Sequence, residues 1–311
     1  MTSAWRALGL IIATGVCVVS LPMLAPAGGD DDTKPNGRRA GTLLNPGNGN
    51  VGEAKGARPG GGGTSNGINY HGGPVMLGTV NVYYIWYGDW SGNTAVGILE
   101  NLGKSIGGSA YFNINTTYYN AANQHVSGLV NWGGSTIDQY SLGTTLRDAD
   151  IQTIVASAIS SGRLSNDSNG AYFVLTSKDV AESSGFCTTY CGWHTYGTIV
   201  GTNMKYAFVG NADRCPSACE AQTTSPNGNA GADAMASVIA HELEEMVTDP
   251  NLNAWYDTRG QENADKCAWT FGTTQTAPNG SKYNMILNAY PYLIQRNWVN
   301  ASGGYCALSF P

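Results

Sequence analysis

Apolar segments recur at regular spacing only from Tyr70 onward in this 311-residue chain. The stretch 28–66 is rich in Gly, Pro and Asp and has almost no apolar periodicity. Because such a stretch has too little apolar surface to bury, it is predicted to be a flexible leader. Residues 67–311 are sufficient for one domain with a substantial core. The sequence therefore predicts a single folded domain over 67–311.

The N-terminus has the parts of a secretory signal peptide over residues 1–27. Arg6 precedes an apolar run over 7–21, and Ala25-Pro26-Ala27 is a small-x-small cleavage site. The run is too short for a stop-transfer helix, and no later stretch is apolar enough to span a bilayer. We therefore expect a secreted, extracellular protein with no stable membrane span.

An even number of cysteines remains once the predicted signal peptide is removed. In an oxidising compartment, six cysteines favour disulfide bonds over zinc ligation, although two Cys-x-x-x-Cys spacings permit either interpretation. The sequence does not determine their pairing. The predicted disulfide cysteines are Cys187, Cys191, Cys215, Cys219, Cys267 and Cys306.

The predicted surface is polar but weakly charged. The net charge is -6 and only 12% of residues are charged, so the chain lacks the basic stripe that would neutralise phosphates. Binding to nucleic acid is therefore not expected. In a eukaryotic host the chain would be a glycoprotein, because it contains Asn-x-Ser/Thr sequons at Asn115, Asn166, Asn279 and Asn300.

Strand-like and helical segments alternate along the predicted domain. Period-2 or continuous apolar runs predict strands over 75–86, 126–132, 171–176 and 206–209. Helical periodicity predicts helices over 95–106, 148–160 and 233–248, the last stopped by Pro250. This order predicts a layered α/β (α+β) fold, in which a mixed sheet is packed by helices and stabilised by disulfides.

The last predicted helix carries a variant of a zinc-hydrolase motif. The motif His-Glu-x-x-His places two imidazoles one turn apart with a glutamate as general base, and here Glu245 replaces the second imidazole after His241 and Glu242. At roughly 100° per residue, these three side chains share one sector of the helix with Asp249. Glu244 is predicted to project away from the core. The helix is thus predicted to be the active helix of a zincin-like site.

A third metal ligand must come from outside this helix, because a catalytic zinc ion usually has three protein ligands and a water. Glu262 is predicted to be that ligand, with His241 and Glu245. Asp265 is predicted to orient His241, and Asp249 is a further supporting carboxylate. Two alternatives stay open, namely Asp265 as the ligand with Glu262 supporting it, or Asp257. The predicted ion is Zn²⁺, with Ca²⁺ or Mn²⁺ as alternatives, and an ordinary solvated acidic helix face is the competing interpretation.

Motifs rich in glycine, cysteine and aromatic residues are spread over about residues 70–310. They are His71-Gly72-Gly73-Pro74-Val75, Ile85-Trp86-Tyr87-Gly88, Val174-Leu175-Thr176-Ser177-x-Asp179-Val180, Gly185-Phe186-Cys187-x-x-x-Cys191-Gly192-x-His194, Val209-Gly210-Asn211 and Cys215-Pro216-x-x-Cys219. With these motifs the chain resembles the EXORDIUM, or phosphate-induced protein, family, and within it a microbial branch that has His-Glu-Leu-x-Glu in the helix. The resemblance implies a secreted or cell-wall protein linked in plants to growth responses, without a settled activity.

Two functions from different classes are consistent with these features. The first is a metal-dependent peptidase that acts on a peptide or another extracellular or cell-wall substrate, with Glu242 accepting a proton from metal-activated water. The second is a noncatalytic extracellular growth or signalling protein whose acidic cluster is a structural or vestigial ion site. Glycoside hydrolysis by a carboxylate pair ranks third. His194 is interpreted as a structural histidine, with zinc ligation as the alternative.

Overall fold

The computed structural model describes Met1 and residues 67–311. The predicted leader, and the predicted signal peptide beyond Met1, lie outside the described residues. Within the described part, no helix combines the length and the apolar character needed to cross a membrane.

Helices and short strands alternate along the described chain, with three 3₁₀ turns at Phe112–Thr117, Ala212–Arg214 and Asp265–Cys267. The helices are α1 (Ala95–Ser105), α2 (Asp148–Ser160), α3 (Pro216–Cys219) and α4 (Ala230–Thr248). The strands are β1 (Asn69–Tyr70), β2 (Val80–Tyr87), β3 (Val130–Asp138), β4 (Thr145–Leu146), β5 (Gly170–Thr176), β6 (Ala181–Glu182), β7 (Gly192–Ile199), β8 (Thr202–Val209), β9 (Trp255–Tyr256), β10 (Gln275–Thr276), β11 (Lys282–Tyr283), β12 (Met285–Leu287), β13 (Tyr290–Tyr292), β14 (Asn297–Val299) and β15 (Tyr305–Ala307).

A five-stranded mixed sheet lies at the centre of the domain, in the order β3-β2-β5-β8-β7. The first four of these strands are parallel, and β7 runs antiparallel to β8 at one edge. Strand β5 is buried along its whole length, as expected for a parallel strand covered on both faces. The predicted mixed sheet packed by helices is confirmed.

The helices cover both faces of this sheet. The crossover through α1 leads from β2 to β3 on one side, and the crossover through α2 leads from β3 to β5 on the other side. Parallel crossovers are right-handed, and these two connections run in opposite directions across the sheet. Helices α1 and α2 therefore lie on opposite faces. Helix α4 packs against α1 and also against β7 and β8. Helix α4 therefore lies on the same face of the sheet as α1 and packs over the antiparallel edge strand β7.

Most elements predicted from periodicity are present. The prediction over 148–160 is confirmed as α2, and the other predicted helices correspond to α1 and α4. Strand β3 extends to Asp138, whereas the predicted strand ends at Trp132. The prediction stopped early because β3 is an edge strand that pairs only with β2, and its half-exposed polar residues show no apolar pattern. Strand β7 was not predicted, although its Trp, Thr, Tyr and Ile residues have high β propensity.

All six cysteines that follow the predicted signal peptide form disulfides, as expected. Cys187 pairs with Cys215, and Cys191 pairs with Cys219, so two bridges join the same two segments. The third bridge joins Cys267 to Cys306. The alternative of zinc ligation by the Cys-x-x-x-Cys pairs is therefore not supported.

One of the predicted glycosylation sites is inaccessible in the folded domain. The Asn115 side chain is buried, donates a hydrogen bond to the Phe112 carbonyl and accepts one from the Asn263 amide. A glycan on this side chain cannot be accommodated without unfolding the surrounding loop. Asn166 and Asn279 are exposed, so glycosylation there stays a prediction.

A buried carboxyl beside the paired disulfides predicts a pH-dependent stability. Burial and the neighbouring Asp213 carboxyl raise the pKa of Glu220 from its ordinary 4.5 to about 7, against the opposing effect of Lys178. The native state then retains a proton that the unfolded state releases, so stability is fully present below the ordinary pKa and falls as the pH rises to about 7. In Glu220→Gln this decline should be reduced, so calorimetric melting curves should show the variant gaining stability over the wild type between pH about 4 and about 8. Parallel curves for the two proteins would contradict the assignment.

Candidate metal centre

Helix α4 is buried on nearly every side, which is unusual for a segment with four acidic residues after Ala230. The Asn229 side chain caps its N-terminus by accepting a hydrogen bond from the Ala232 amide, and Asp233 lies in the first turn, where a carboxylate is favourable. The helix ends at Thr248, one residue before the Asp249–Pro250 pair. The competing interpretation of a solvated acidic face is wrong.

His241 and Glu245 lie one turn apart on α4 and face a carboxylate from the segment that follows the helix. The Nε2 atom of His241 is 3.1 Å from Oε1 of Glu245 and 3.6 Å from Oδ1 of Asp265. One ligand atom from each of these three residues lies within 4.8 Å of the others. This set has the residue types and the spacing of a metal site.

A second set forms around His194, on the buried face of β7. Its Nε2 atom is 2.9 Å from Oε2 of Glu262 and 3.5 Å from Oε2 of Glu245. These three residues also offer ligand atoms within 4.8 Å of one another. The structure thus groups Glu262 with His194 and Asp265 with His241, whereas the sequence grouped Glu262 with His241. We define these five side chains, His194, His241, Glu245, Glu262 and Asp265, as the histidine–carboxylate cluster.

The segment 257–267 is held in place by its own contacts. The Asp257 carboxylate accepts hydrogen bonds from the backbone amides of Arg259 and Gln261 and pairs with Lys266 at 3.2 Å. Burial alone would raise the pKa of Asp257, but these amides and Lys266 hold it below the ordinary value. Asp257 therefore stabilises the turn before Glu262 and is not among the residues that the structure brings into the cluster.

Asp249 lies at the C-terminal end of α4 and closes the loop that leaves the helix. Its Oδ1 atom accepts hydrogen bonds from the backbone amides of Asn253 and Ala254, both at 2.6 Å. These bonds direct the chain toward β9, which precedes Glu262. Among the described contacts, those of Asp249 are to this loop rather than to His241.

Glu242 is fully buried beside His241 and close to the backbone of β7. A Cβ atom on Gly192 would lie 3.3 Å from Oε1 of Glu242 and 2.6 Å from a methyl group of Val238. Glycine at this position therefore lets β7 approach α4 closely. The same approach brings His194, two residues further along the strand and on the same face, to the cluster.

Glu244 does not project toward solvent, so that expectation is wrong. Its side chain is fully buried and accepts a hydrogen bond from Asn297 on β14. Burial raises its pKa well above the ordinary value, which favours the neutral carboxyl. The helical wheel misplaced Glu244 because it assumed a solvent-facing side, whereas the C-terminal strands cover that side of α4.

Both imidazoles of the cluster lie in a strongly negative environment. Burial alone would lower the pKa of His194 and of His241, but the adjacent carboxylates raise both well above the usual value. For His194 the main carboxylate is Glu262, and for His241 it is Glu245. The same field that retains a proton on an imidazole also attracts a metal cation.

The buried charges of this region do not balance. Glu242, Glu245, Glu262 and Asp265 carry four negative charges when ionised, and two histidines supply at most two positive charges. Burial of uncompensated charge is strongly unfavourable. A bound divalent cation would offset the excess, so charge and ligand type together favour metal binding.

The contribution of His194 is the main difference between the sequence-based site and the structural one. Its strand was not predicted, and the residue was interpreted as structural with zinc ligation as an alternative. The position of a histidine between Trp193 and Thr195 in a β-prone run was the available signal. The other two histidines lie outside the cluster, because His71 stacks on Tyr256 and His125 contacts the Thr116 carbonyl.

The protein is thus a disulfide-stabilised α/β protein with a candidate metal centre. Its mixed sheet is packed by helices, three disulfides join its segments, and the histidine–carboxylate cluster lies in its interior. The family model described as "Phosphate-induced protein 1 conserved region" matches residues 68–289. The chain therefore belongs to the EXORDIUM, or phosphate-induced protein, family, which confirms the family inferred from its motifs.

Curated plant proteins agree with this assignment. Protein EXORDIUM-like 3 of Arabidopsis thaliana is 33% identical over 278 residues, which cover 77% of this chain and 82% of the relative. Protein EXORDIUM-like 5 of the same plant is 35% identical over 238 residues, covering 66% of this chain and 65% of the relative. Protein PHOSPHATE-INDUCED 1 of Nicotiana tabacum is 28% identical over 218 residues, covering 61% and 67%. No solved structure matches the chain significantly.

Proposed function

We propose that this protein is an extracellular metal-dependent hydrolase that acts on peptide substrates through a centre on α4. The observation that carries the proposal is the convergence of two imidazoles and three carboxylates in the histidine–carboxylate cluster, where four of the five residues are buried and the Asp265 side chain is 7% exposed. Mixed nitrogen and oxygen ligands suit Zn²⁺, and they also suit Mn²⁺. His241, Glu245 and Asp265 hold the ion in this proposal, which is the alternative to Glu262 that the sequence left open.

Glu242 is the proposed general base. It directly follows the proposed ligand His241 in the sequence, which is the position of the general-base glutamate in the zinc-hydrolase motif, and it is buried beside His241. Bound Zn²⁺ would polarise the scissile carbonyl and lower the pKa of a water molecule. Glu242 then accepts the proton from the attacking water and passes it to the leaving amine.

Replacing Glu242 with glutamine tests this role directly. The amide preserves the size of the side chain but cannot accept the proton, so kcat/KM should fall by about 10²- to 10⁴-fold. The metal content should remain that of the wild type, because Glu242 is not one of the proposed ligands. The measurements are cleavage of a fluorogenic peptide library by the zinc-loaded protein and elemental analysis of the same sample.

Glu100→Gln is a suitable control for this experiment. Glu100 lies on α1, where its carboxylate contacts Lys104 and Ser135 away from the cluster. The variant should keep both metal and activity. Suppose that the wild type cleaves peptides and that Glu242→Gln cleaves them at the same rate. Glu242 would then have no part in the chemistry.

A second candidate is a noncatalytic extracellular protein with a structural ion, and the burial of the cluster favours it. The most exposed cluster side chain is Asp265, at 7%. A small, partly open pocket lies beside the N-terminal half of α4, but residues such as Ser237, Trp269 and Phe271 line it, and the cluster residues do not. Structural metal sites are closed in this way. A zinc-loaded protein that cleaves no peptide, yet melts at a lower temperature after chelation, would support this candidate over the first.

The extracellular location is part of the proposal. Three disulfides support it, because such bonds persist mainly in oxidising compartments. The predicted signal peptide over 1–27 supports it independently. An oxidising exterior also suits a centre whose ligands are histidines and carboxylates, since these side chains do not form disulfides.

A further inference from the structure

The two oxygens of the Glu245 carboxylate face different histidines. Oε1 lies 3.1 Å from Nε2 of His241, and Oε2 lies 3.5 Å from Nε2 of His194. The ligand atoms of the cluster accordingly form two sets of three, and Glu245 is the member common to both. A carboxylate placed in this way can bind one cation through each oxygen.

The distances within each set fit the coordination shell of one ion. Two ligand atoms that each bind a tetrahedral zinc ion at about 2.1 Å lie about 3.4 Å from each other. The nitrogen–oxygen distances are 3.1 and 3.6 Å around His241 and 2.9 and 3.5 Å around His194. Two edges of each set therefore lie within about 0.5 Å of this value, and the shortest, 2.9 Å between His194 and Glu262, is also a hydrogen-bond distance.

Backbone hydrogen bonds orient two carboxylates of the cluster, those of Glu245 and Asp265. The Asp265 amide donates to Oε1 of Glu245 at 3.0 Å, which restrains the shared carboxylate. The Glu262 amide donates to Oδ2 of Asp265 at 3.2 Å, which leaves Oδ1 directed at His241. The backbone amides of Glu262 and Asp265 thus help to orient two carboxylates of the cluster.

The charge of the region corresponds to two divalent cations. Imidazoles that bind a metal are neutral, so the charge that remains is that of Glu242, Glu245, Glu262 and Asp265. Four ionised carboxylates carry a charge of −4, and two divalent cations carry +4. With one divalent cation and a proton on the histidine that does not bind it, the four carboxylates would keep an excess of one negative charge in a buried region, which a second cation removes.

We propose that the centre binds two divalent cations bridged by Glu245. His241 and Asp265 complete the first site, and His194 and Glu262 complete the second. The mixed nitrogen and oxygen ligands favour Zn²⁺ or Mn²⁺ at both sites. This inference rests on the proposed function only in that the cluster binds metal, and it adds a second ion and a role for His194.

The number of bound ions tests the proposal. The protein is loaded with Zn²⁺ alone, desalted and measured by elemental analysis. We expect about two zinc ions per chain for the wild type and about one for each of His194→Gln and His241→Gln, since each variant loses a ligand of one site. The matched control is His125→Gln, an exposed histidine outside the cluster, which should keep the wild-type content.

A second measurement does not depend on how well the variants fold. X-ray absorption by the zinc-loaded wild type should show a metal–metal distance of about 3.5–4 Å, as in other two-metal sites. One ion per wild-type chain, lost on replacement of either histidine, would overturn the two-ion proposal and leave the proposed function standing. A folded histidine variant that loses both ions would overturn the division of ligands. A wild type that binds no zinc would overturn both proposals.

Discussion

Replacing Glu245 with glutamine is expected to remove nearly all metal from the protein. The amide has the size of the native side chain, but it is neutral and cannot bind one cation through each of two anionic oxygens. Loss of residues that merely support a metal ligand weakens binding about 10- to 100-fold, and loss of the shared ligand should weaken both sites at least as much. The measurement is zinc content after loading and desalting, combined with competition against a chromophoric chelator.

Glu244→Gln provides a closely matched control for this result. It makes the same chemical change on the same helix, at a side chain that is equally buried. Its carboxyl contacts Asn297 rather than the cluster, so the metal content should not change. Equal loss of zinc in the two variants would show that the effect comes from the helix as a whole. Full retention of zinc by Glu245→Gln would exclude the cluster as the metal centre.

Removal of the Cys267–Cys306 disulfide is expected to have the second largest effect. The bridge closes a loop with a sequence separation of 39 residues, and chain entropy predicts a stabilisation of about 4 kcal/mol for such a loop. It also anchors the segment that carries Glu262 and Asp265 immediately before Cys267. The double variant Cys267→Ser/Cys306→Ser should therefore lose stability and bind zinc more weakly. Urea unfolding measures the first effect, and chelator competition measures the second.

The other disulfides allow these two effects to be separated. In Cys187→Ser/Cys215→Ser, the parallel bridge Cys191–Cys219 still joins the same two segments. This variant should lose less stability than the variant without Cys267–Cys306, and its zinc affinity should be that of the wild type. If the variant without Cys267–Cys306 keeps wild-type zinc affinity, the contacts of Asp257 and Lys266 are sufficient to hold the segment.

Local sequence signals predicted the elements that are long and strongly apolar. The bounds of α2 agree with the prediction, and the buried strands β2 and β5 were found because they are continuous apolar runs. The edge strands were predicted poorly. Strand β3 has half-exposed polar residues, and β7 keeps neither the two-residue period of a strand nor the 3.6-residue period of a helix along its whole length. Periodicity therefore gave little signal for either strand.

The candidate site was partly accessible from the spacing of residues along one helix. The 3.6-residue period indicates that His241 and Glu245 share a face, and their Nε2 and Oε1 atoms are indeed 3.1 Å apart. The same period placed Glu244 away from the core, which is wrong because β14 covers that side. A helical wheel determines angles between side chains, but it does not determine how many sides of a helix are covered.

The sequence by itself determined the family, the use in disulfides of the six cysteines after the predicted signal peptide, and the helix that carries the acidic motif, because each depends on local composition or spacing. The tertiary structure alone decided which carboxylate faces which histidine. Glu262 and Asp265 are three residues apart in the chain, yet they face histidines on different elements, β7 and α4. That choice depends on the close approach of β7 at Gly192 and on the Cys267–Cys306 bridge, which are long-range contacts that no local pattern encodes.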